Sequence, residues 1–254
     1  MIFSVITVSF NSEKTIRKTI ESVIKQDYKE IEYIIIDGDS TDSTLEIINE
    51  YSQYISKVIS EEDKGIYNAI NKGIKLANGE YISILHSDDT FASDNVISKV
   101  KKAFEKYKTD IITTNVNFYN VKKGKLTRLI SPIFFKPWKL RFGIMPAHPG
   151  IFIKKKIHDK IGLYPEDYII AADFEFFSRA FINFKTTYKF LNITSVIMKV
   201  GGISTKNYKS YLISTVEILR ALKRNKIYSN YLFIIIRIPI KFFKEVLIKK
   251  WQKF

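Results

Sequence analysis

The sequence predicts an α/β fold, in which a mostly parallel sheet carries helices on both faces. Short runs of β-branched residues alternate with segments whose apolar residues recur at helical spacing, and turn-forming polar residues separate them. The chain has 254 residues, 46% of them apolar, which is enough to bury one sizeable core. Its longest apolar stretch, 231–243, is interrupted by two basic residues and a proline, so no membrane-spanning helix is predicted.

The first half repeats a strand-then-helix unit. The first strand, Phe3–Phe10, ends at the helix-capping pair Asn11-Ser12, and apolar residues spaced at i, i+4, i+7 and i+8 predict a helix after it. Because ligands of parallel sheets bind at the carboxyl ends of the strands, we expect the loops at 8–12, 37–42 and 86–90 to converge on one crevice. The later strands are predicted at Tyr33–Ile36, Tyr81–Leu85 and Ile111–Val116, with helices over Leu45–Tyr51, Ile66–Ala77 and Val96–Phe104.

This alternation ends after residue 117. Lys122-Lys123-Gly124-Lys125 predicts a hairpin between residues 117 and 130, and the Pro- and aromatic-rich stretch from Ser131 to Pro149 resembles a lid over a substrate more than core. The elements predicted beyond it are a strand at Ile151–Ile153, a helix at Ala172–Phe184, a pair of strands within Tyr188–Val200 and helices from Tyr208 onwards.

Basic residues are concentrated in the second half. Residues 1–127 contain 17 Lys and Arg against 19 Asp and Glu, whereas residues 128–254 contain 24 against 7. Such a half suits an anionic lipid surface, a phosphorylated substrate or nucleic acid, and no nucleic-acid-binding motif accompanies it. The absence of cysteine excludes disulfides and thiol chemistry, and it favours a reducing compartment such as the cytoplasm. The apolar strand directly after Met1 is not typical of a signal peptide.

Two adjacent carboxylates, Asp88 and Asp89, directly follow an apolar strand. Adjacent acids repel each other, and a divalent cation that takes oxygen ligands from one or both relieves that repulsion. The pair predicts a metal-diphosphate site, and the alternative is a helix N-terminus capped by Asp88 or Ser93.

Two polar loops allow a functional and a structural interpretation each. The loop Asp37–Asp42 either hydrogen-bonds a nucleotide base or ribose, through Asp37 or Asp39, or is only a capped turn. The loop Glu61–Gly65 is either a solvated charged loop or a place where Lys64 reaches a phosphate.

In combination these motifs narrow the interpretation. They run in order through Val5–Asn11, Ile36–Asp42, Asp63–Gly73, Asn78–Tyr81, Ser87–Asp89, Ala171–Arg179 and Gly201–Ser204. The series resembles the family-2 glycosyltransferases with a GT-A fold, in particular bacterial members that build cell-surface polysaccharides. The resemblance implies a GT-A domain over 1–205, with a nucleotide-sugar-binding half at 1–115 and an acceptor-binding half at 116–205, followed by a basic amphipathic helical extension at 206–254.

The resemblance also implies roles at the donor side. Ser87-Asp88-Asp89 occupies the family's Asp-x-Asp slot, so Asp89 is expected to hold Mn²⁺ or Mg²⁺ and Asp88 to contact ribose or metal. Ser9, Phe10 and Asp37 are expected to flank the base, with Gly38 as an alternative position for the last of these contacts. His148 is a candidate third metal ligand or acceptor contact, or has neither role.

On the acceptor side, Asp173 matches the acid that serves as general base in inverting members of the family. The usual preceding Glu is replaced here by Ala172, which leaves Asp173 as the candidate at its site, with Glu175 as a second acid two positions on. An inverting transfer needs a base on one side of the sugar and stabilisation of the diphosphate on the other. The resemblance thus implies transfer from a nucleotide-sugar, with UDP as the expected nucleotide, to a glycan or polyprenyl-diphosphate-linked acceptor.

Two rival functions remain at this point. A sugar nucleotidylyltransferase would carry a Gly-rich triphosphate loop near its N-terminus, and Val5–Asn11 has none. A non-catalytic membrane-surface binding protein would keep the basic helix without needing Asp89 or Asp173.

The segment 228–254 mixes apolar residues at helical spacing with lysines, and residues 206–254 hold 12 Lys and Arg against 2 acids. This pattern suits a helix lying in an anionic membrane interface, which predicts an enzyme peripheral on the inner face of the cell membrane. The alternative is a helix that packs in a homodimer or docks on the domain.

Overall fold

A computed structural model of the protein describes residues 2–120, 124–199 and 208–236. One sheet runs through it, with the strand order β3-β2-β1-β4-β8-β6-β9-β5 and β7 paired to β6. The strands are β1 (Phe3–Ser9), β2 (Ile31–Asp37), β3 (Lys57–Ser60), β4 (Tyr81–Ile84), β5 (Thr90–Phe91), β6 (Ile111–Asn120), β7 (Lys125–Ile130), β8 (Ile151–Lys154) and β9 (Tyr188–Lys199). The helices are α1 (Ile16–Ile24), α2 (Thr44–Glu50), α3 (Ile66–Leu76), α4 (Val96–Tyr107), α5 (Lys155–Ile161), α6 (Ala172–Ser178), α7 (Tyr208–Arg224) and α8 (Tyr231–Ile235).

The first four strands of that order are parallel to one another, as the strand-and-helix alternation predicts. β1 lies between β2 and β4, and all seven of its side chains are buried. Successive side chains of a strand point to opposite faces, so Ile6 packs with the α3 residue Ile70 while Phe3 packs with the α4 residue Phe104. The two faces of the sheet therefore each carry a core, and the carboxyl ends of β1, β2 and β4 lie at one edge.

The second half is mixed rather than parallel. β8 runs antiparallel to both β4 and β6, and the predicted hairpin is present as β6 and β7. The segment predicted as a pair of strands is instead one strand, β9, which runs parallel to β6. Its register against β6 shifts between Thr113 and Val116. With this irregularity the strand continues through the polar residues around Asn192 without a turn.

The described part of the C-terminal segment packs into the main core. Ile218, Ala221 and Leu222 of α7 and Ile234 of α8 are buried in the same cluster as Ile70 of α3. The predicted division of the chain at residue 205 stays a prediction. The predicted Gly201–Ser204 motif and the basic residues from 237 onwards lie outside the described residues, and no helix in the described ranges is long and apolar enough to cross a membrane.

Candidate active site

Three loops meet at the carboxyl edge of β1, β2 and β4, as the topology predicts. The Asn11 backbone N–H donates to the Ser40 hydroxyl oxygen at 2.8 Å, which joins the loop after β1 to the loop after β2. The hydroxyl groups of Ser12 and Ser87 lie 2.8 Å apart, which joins the loop after β1 to the loop after β4. These contacts place the loops at 8–12, 37–42 and 86–90 around one crevice.

Asp37 lies beneath this crevice rather than on its surface. Its side chain is fully buried, and its carboxylate accepts hydrogen bonds from the hydroxyls of Ser9, Ser40 and Ser60 and from the Ser40 backbone N–H, all at 2.6–2.9 Å. With both oxygens engaged inside the protein, Asp37 organises the loop that follows β2. The hydrogen bond from the Ser9 hydroxyl to Asp37 places Ser9 under the loop as well, where it supports the Asp37 carboxylate.

The surface of the crevice is formed by neighbouring groups. Phe10 is 63% exposed, and its ring would lie 3.6 Å from a Cβ placed on Gly38. Asp63 approaches the same point, with its carboxylate 3.2 Å from that Cβ position, and Asp39 is exposed in the left-handed region with φ 64°. The aromatic face of Phe10 and the bare backbone at Gly38 offer a flat nucleotide base a stacking surface. The Asp63 carboxylate binds the Lys72 ammonium through Oδ1 at 2.6 Å and offers Oδ2, on the Gly38 side, as a hydrogen-bond acceptor.

Asp89 is the buried acid of the pair after β4. Its side chain is 1% exposed, and neither of its carboxylate oxygens has a hydrogen-bond partner among the described residues. The Thr19 hydroxyl lies 3.0 and 2.7 Å from the carbonyl oxygens of Ser87 and Asp89 and fixes the backbone there. Burial, together with the adjacent charge of Asp88, raises the pKa of Asp89 well above its usual range, and the nearby backbone N–H of Lys199, which makes no full hydrogen bond to it, offsets only a small part of this rise.

A divalent cation fits this arrangement. A buried carboxylate without partners is costly, and a cation supplies the missing partner. The described residues contain no cluster of three ligating side chains. The site therefore suits a metal held by one or two carboxylates, Asp89 and the exposed Asp88, with the remaining ligands from diphosphate oxygens and water, as is usual for Mg²⁺.

His148 lies in the lid-like stretch and is 9% exposed. Its Nε2 is 3.0 Å from the Tyr164 hydroxyl, and its ring centroid is 6.0 Å from that of His86. Burial lowers the pKa of His148 to about 3, so the ring is neutral. The structure thus engages one ring nitrogen with Tyr164, and a metal contact through His148 stays a prediction.

Asp173 stands in the first turn of α6 and is half-buried. One carboxylate oxygen accepts the Phe174 N–H at 2.7 Å and lies 3.5 Å from the Tyr67 hydroxyl. Burial raises the pKa of Asp173 to about 6, so the carboxylate is ionised at neutral pH and is a stronger base than an ordinary aspartate. Glu175 is 2% exposed and bonds to Arg179 at 3.0 Å and Asn225 at 3.2 Å, which engages it in the core.

Sequence reasoning did not assign three residues of this region. Asp63 and Tyr67 both belong to the motif Asp63–Gly73, and only their neighbour Lys64 was predicted to have a role. The structure leaves Lys64 exposed. Glu217 lies on α7 and accepts hydrogen bonds from the backbone N–H groups of residues 169–171, and because these partners are 46 to 48 residues earlier in the chain, no local pattern indicated it.

The protein-family model described as glycosyl transferase family 2 matches residues 4–162 of the chain. The chain belongs to this family. The family assignment that the sequence motifs predict is thereby confirmed, and the protein is a glycosyltransferase.

Two curated relatives show the extent of the similarity. An uncharacterized glycosyltransferase of Mycobacterium tuberculosis is 34% identical over 180 residues, which cover 70% of this chain and 68% of the relative. The UDP-Glc:alpha-D-GlcNAc-diphosphoundecaprenol beta-1,3-glucosyltransferase WfaP of Escherichia coli is 32% identical over 163 residues, which cover 63% of this chain and 61% of WfaP.

A solved structure shares the GT-A fold. Residues 1–349 of S. aureus TarS in complex with UDP-GlcNAc superpose with a TM-score of 0.67 at 20% identity, covering 87% of this chain and 66% of that fragment. The similarity supports the architecture of a nucleotide-binding sheet with helices on both faces.

Proposed function

We propose that this glycosyltransferase moves a sugar with inversion from a UDP-sugar to a lipid-diphosphate-linked saccharide. The observation that carries the proposal is the pairing of two acids with different environments: Asp89, buried without partners, and Asp173, half-buried with a raised pKa. The name of the relative WfaP states a UDP-Glc donor and a diphosphoundecaprenol-linked acceptor, which supports the substrate class.

The chemistry is one displacement at the anomeric carbon. The acceptor oxygen forms a bond to that carbon as its proton passes to the Asp173 carboxylate, and the bond from the carbon to the diphosphate breaks with its electron pair staying on the phosphate oxygen. Phe10, Gly38 and Asp63 hold the base, and Asp88 and Asp89 face the diphosphate. A divalent cation, when bound, neutralises charge on the leaving diphosphate.

A donor panel tests this proposal. The full-length protein is incubated with Mn²⁺, a GlcNAc-diphosphate-lipid acceptor and, in turn, UDP-glucose, UDP-GlcNAc and GDP-mannose, and nucleotide release is measured. We expect release of UDP from a UDP-sugar only when acceptor and Mn²⁺ are both present. Release from none of the donors, or synthesis of UDP-sugar from UTP and a sugar 1-phosphate, would contradict it, the latter favouring a nucleotidylyltransferase.

We also propose that the enzyme binds an anionic membrane surface, through a surface that we call the apolar platform. It consists of the 3₁₀ segment Pro137–Phe142 with the residues before it, and of α8. The Phe142 and Phe233 rings stack at 5.0 Å, and the Ser229 hydroxyl donates to the Arg141 carbonyl at 2.6 Å, so the two parts form one surface. Its exposed side chains are Ile133, Phe134, Lys136, Trp138, Arg141, Tyr231, Leu232 and Ile235.

The composition of the platform fits a lipid interface better than water. Large apolar side chains that are more than half exposed, such as Trp138 at 54% and Leu232 at 66%, lie beside basic residues. Basic groups near an anionic surface contribute about 1 kcal/mol each, and salt screens them. The segment 206–254, to which α8 belongs, holds 12 Lys and Arg against 2 acids.

We expect the double variant Trp138→Ser, Leu232→Ser to lose most of its co-sedimentation with phosphatidylglycerol vesicles at low salt, because both side chains are exposed and enter the interface. Tyr54→Ser is the matched control, since Tyr54 is 53% exposed on the connection between β2 and β3. Wild-type protein that stays in the supernatant at low salt contradicts the proposal. A double variant that turns a dimer into a monomer with unchanged lipid binding makes the platform a subunit contact.

A further inference from the structure

The loop before Asp173 is held by one carboxylate. The backbone N–H groups of Ile169, Ile170 and Ala171 all donate to Glu217, at 2.7, 2.8 and 2.9 Å, and Glu217 is 6% exposed. The loop leads directly into α6, whose first turn carries Asp173. A residue of the C-terminal helix α7 thus fixes the backbone two residues ahead of the candidate base.

The same loop is held from its other sides. The Tyr67 hydroxyl donates to the Ile170 carbonyl at 2.5 Å, and Tyr67 comes from α3 on the donor side of the crevice. On α7, one turn after Glu217, the Arg220 guanidinium lies 3.8 Å from the ring centroid of Tyr168, which is 4% exposed. The loop is therefore clamped between α3 and α7, and the Asp173 carboxylate lies where the clamp ends.

The chemistry of the clamp requires a carboxylate. Three consecutive N–H groups directed at one point need three acceptor positions, and a carboxylate offers about four lone pairs on two oxygens. A glutamine of the same shape has one acceptor oxygen, and its NH₂ group would face an N–H of the loop. A buried N–H without an acceptor is unfavourable, so the loop has to move when the carboxylate is lost.

We propose that Glu217 is a positioning residue for glycosyl transfer, which holds the loop 169–171 so that the Asp173 carboxylate lies at the acceptor hydroxyl. The proposal rests on the proposed function of Asp173 as base. It makes α7 part of the catalytic machinery, although α7 contributes no group to the reaction.

The test compares Glu217→Gln with Glu32→Gln in the full-length protein, using the UDP-sugar that wild type turns over. Glu32 is the matched control, because its carboxylate also accepts backbone N–H groups of a loop, those of Asn78 and Gly79, at the opposite edge of the sheet. Small displacements of catalytic groups cost up to about 10²-fold in rate, so we expect kcat of Glu217→Gln to fall by about 10- to 100-fold while the Kd for UDP changes by less than about twofold. Glu32→Gln should keep the kcat of wild type per folded molecule.

The pH profile supplies a readout that a general loss of stability would not move. The titratable groups facing Asp173 are Tyr67, Tyr164 and Glu217. Burial is the main cause of the raised pKa of Asp173, and the charge of Glu217 makes a smaller contribution in the same direction. Removing that charge should move the acid limb of kcat/KM to lower pH in Glu217→Gln and leave it in place in Glu32→Gln. Glu217→Asp keeps the carboxylate on a shorter side chain, so its kcat should lie between those of wild type and Glu217→Gln. If Glu217→Gln does not fold, Glu217→Asp takes its place in the comparison.

Hydrogen exchange separates this proposal from the proposed function. Faster exchange of the amides at 169–171 in Glu217→Gln, with unchanged exchange at 78–79, is expected whether or not a donor is turned over. A wild type that transfers no sugar overturns the proposed function alone. A Glu217→Gln variant with wild-type kcat and acid limb, or with unchanged exchange at 169–171, overturns the positioning role.

Discussion

Asp89→Asn should abolish glycosyl transfer and the metal dependence of UDP binding while the protein stays folded. Asparagine has the shape of aspartate, and the Asp89 carboxylate makes no hydrogen bond in the described structure. We therefore expect the substitution to leave the free energy of unfolding nearly unchanged. Without the anionic ligand, the charge on the leaving diphosphate is no longer neutralised, and we expect kcat to fall by about 10³-fold or more. Calorimetry with UDP, in Mn²⁺ and in EDTA, measures the binding side of the effect.

Asp94→Asn is the control for this variant, because Asp94 is an exposed acid five residues further along the chain. It should keep wild-type turnover and the tightening of UDP binding by Mn²⁺. Full activity of wild type in EDTA, or of Asp89→Asn in Mn²⁺, contradicts the assignment of Asp89 as the metal ligand.

Asp173→Asn should separate chemistry from binding. A general base acts on the acceptor hydroxyl and not on the nucleotide, so we expect kcat to fall by about 10²-fold or more while the Kd for UDP stays within about twofold. The exposed acid Asp159 provides the control variant Asp159→Asn, with kinetics like wild type. An equal loss of UDP affinity in Asp173→Asn would place Asp173 in the donor site instead.

The pH dependence of activity follows from the same residue. With the pKa of Asp173 at about 6, kcat/KM of wild type should be level above pH 7 and fall tenfold per pH unit below 6, and this limb should vanish from the residual activity of Asp173→Asn. The folded pKa lies above the usual 3.8, so Asp173 stabilises the fold at low pH and this contribution is lost as the pH rises through about 6. At pH 7 the Tm of Asp173→Asn should therefore equal or exceed that of wild type.

Local patterns predicted the donor half of the fold well. A β-branched run followed by a capping pair and a helical stripe depends on neighbours along the chain, and β1, β2 and β4 with their loops lie as predicted. The second half depends more on partners distant in sequence. Short strands such as β3 and β5 form because they pair with β2 and β9, which are distant in sequence. β9 is one continuous strand because it pairs with β6 on both sides of a register shift.

The chemistry of single acids was harder to predict than their location. Asp37 and Asp89 follow neighbouring strands in similar contexts, but three serine hydroxyls satisfy the first and the described residues leave the second without partners. Glu217 lies on a helix that the sequence describes only as amphipathic and basic. Its proposed role depends on its contacts with the loop 169–171, 46 to 48 residues earlier, and helical spacing does not carry that information.

The stereochemistry of the product tests the account most directly. The α-linked UDP-sugar that gives turnover is incubated with the GlcNAc-diphosphate-lipid acceptor, and the anomeric configuration of the new linkage is read by NMR. A single displacement, with Asp173 as base and the diphosphate leaving on the side of Asp89, predicts a β-linked product. An α-linked product, or free sugar with none on the acceptor, would contradict it.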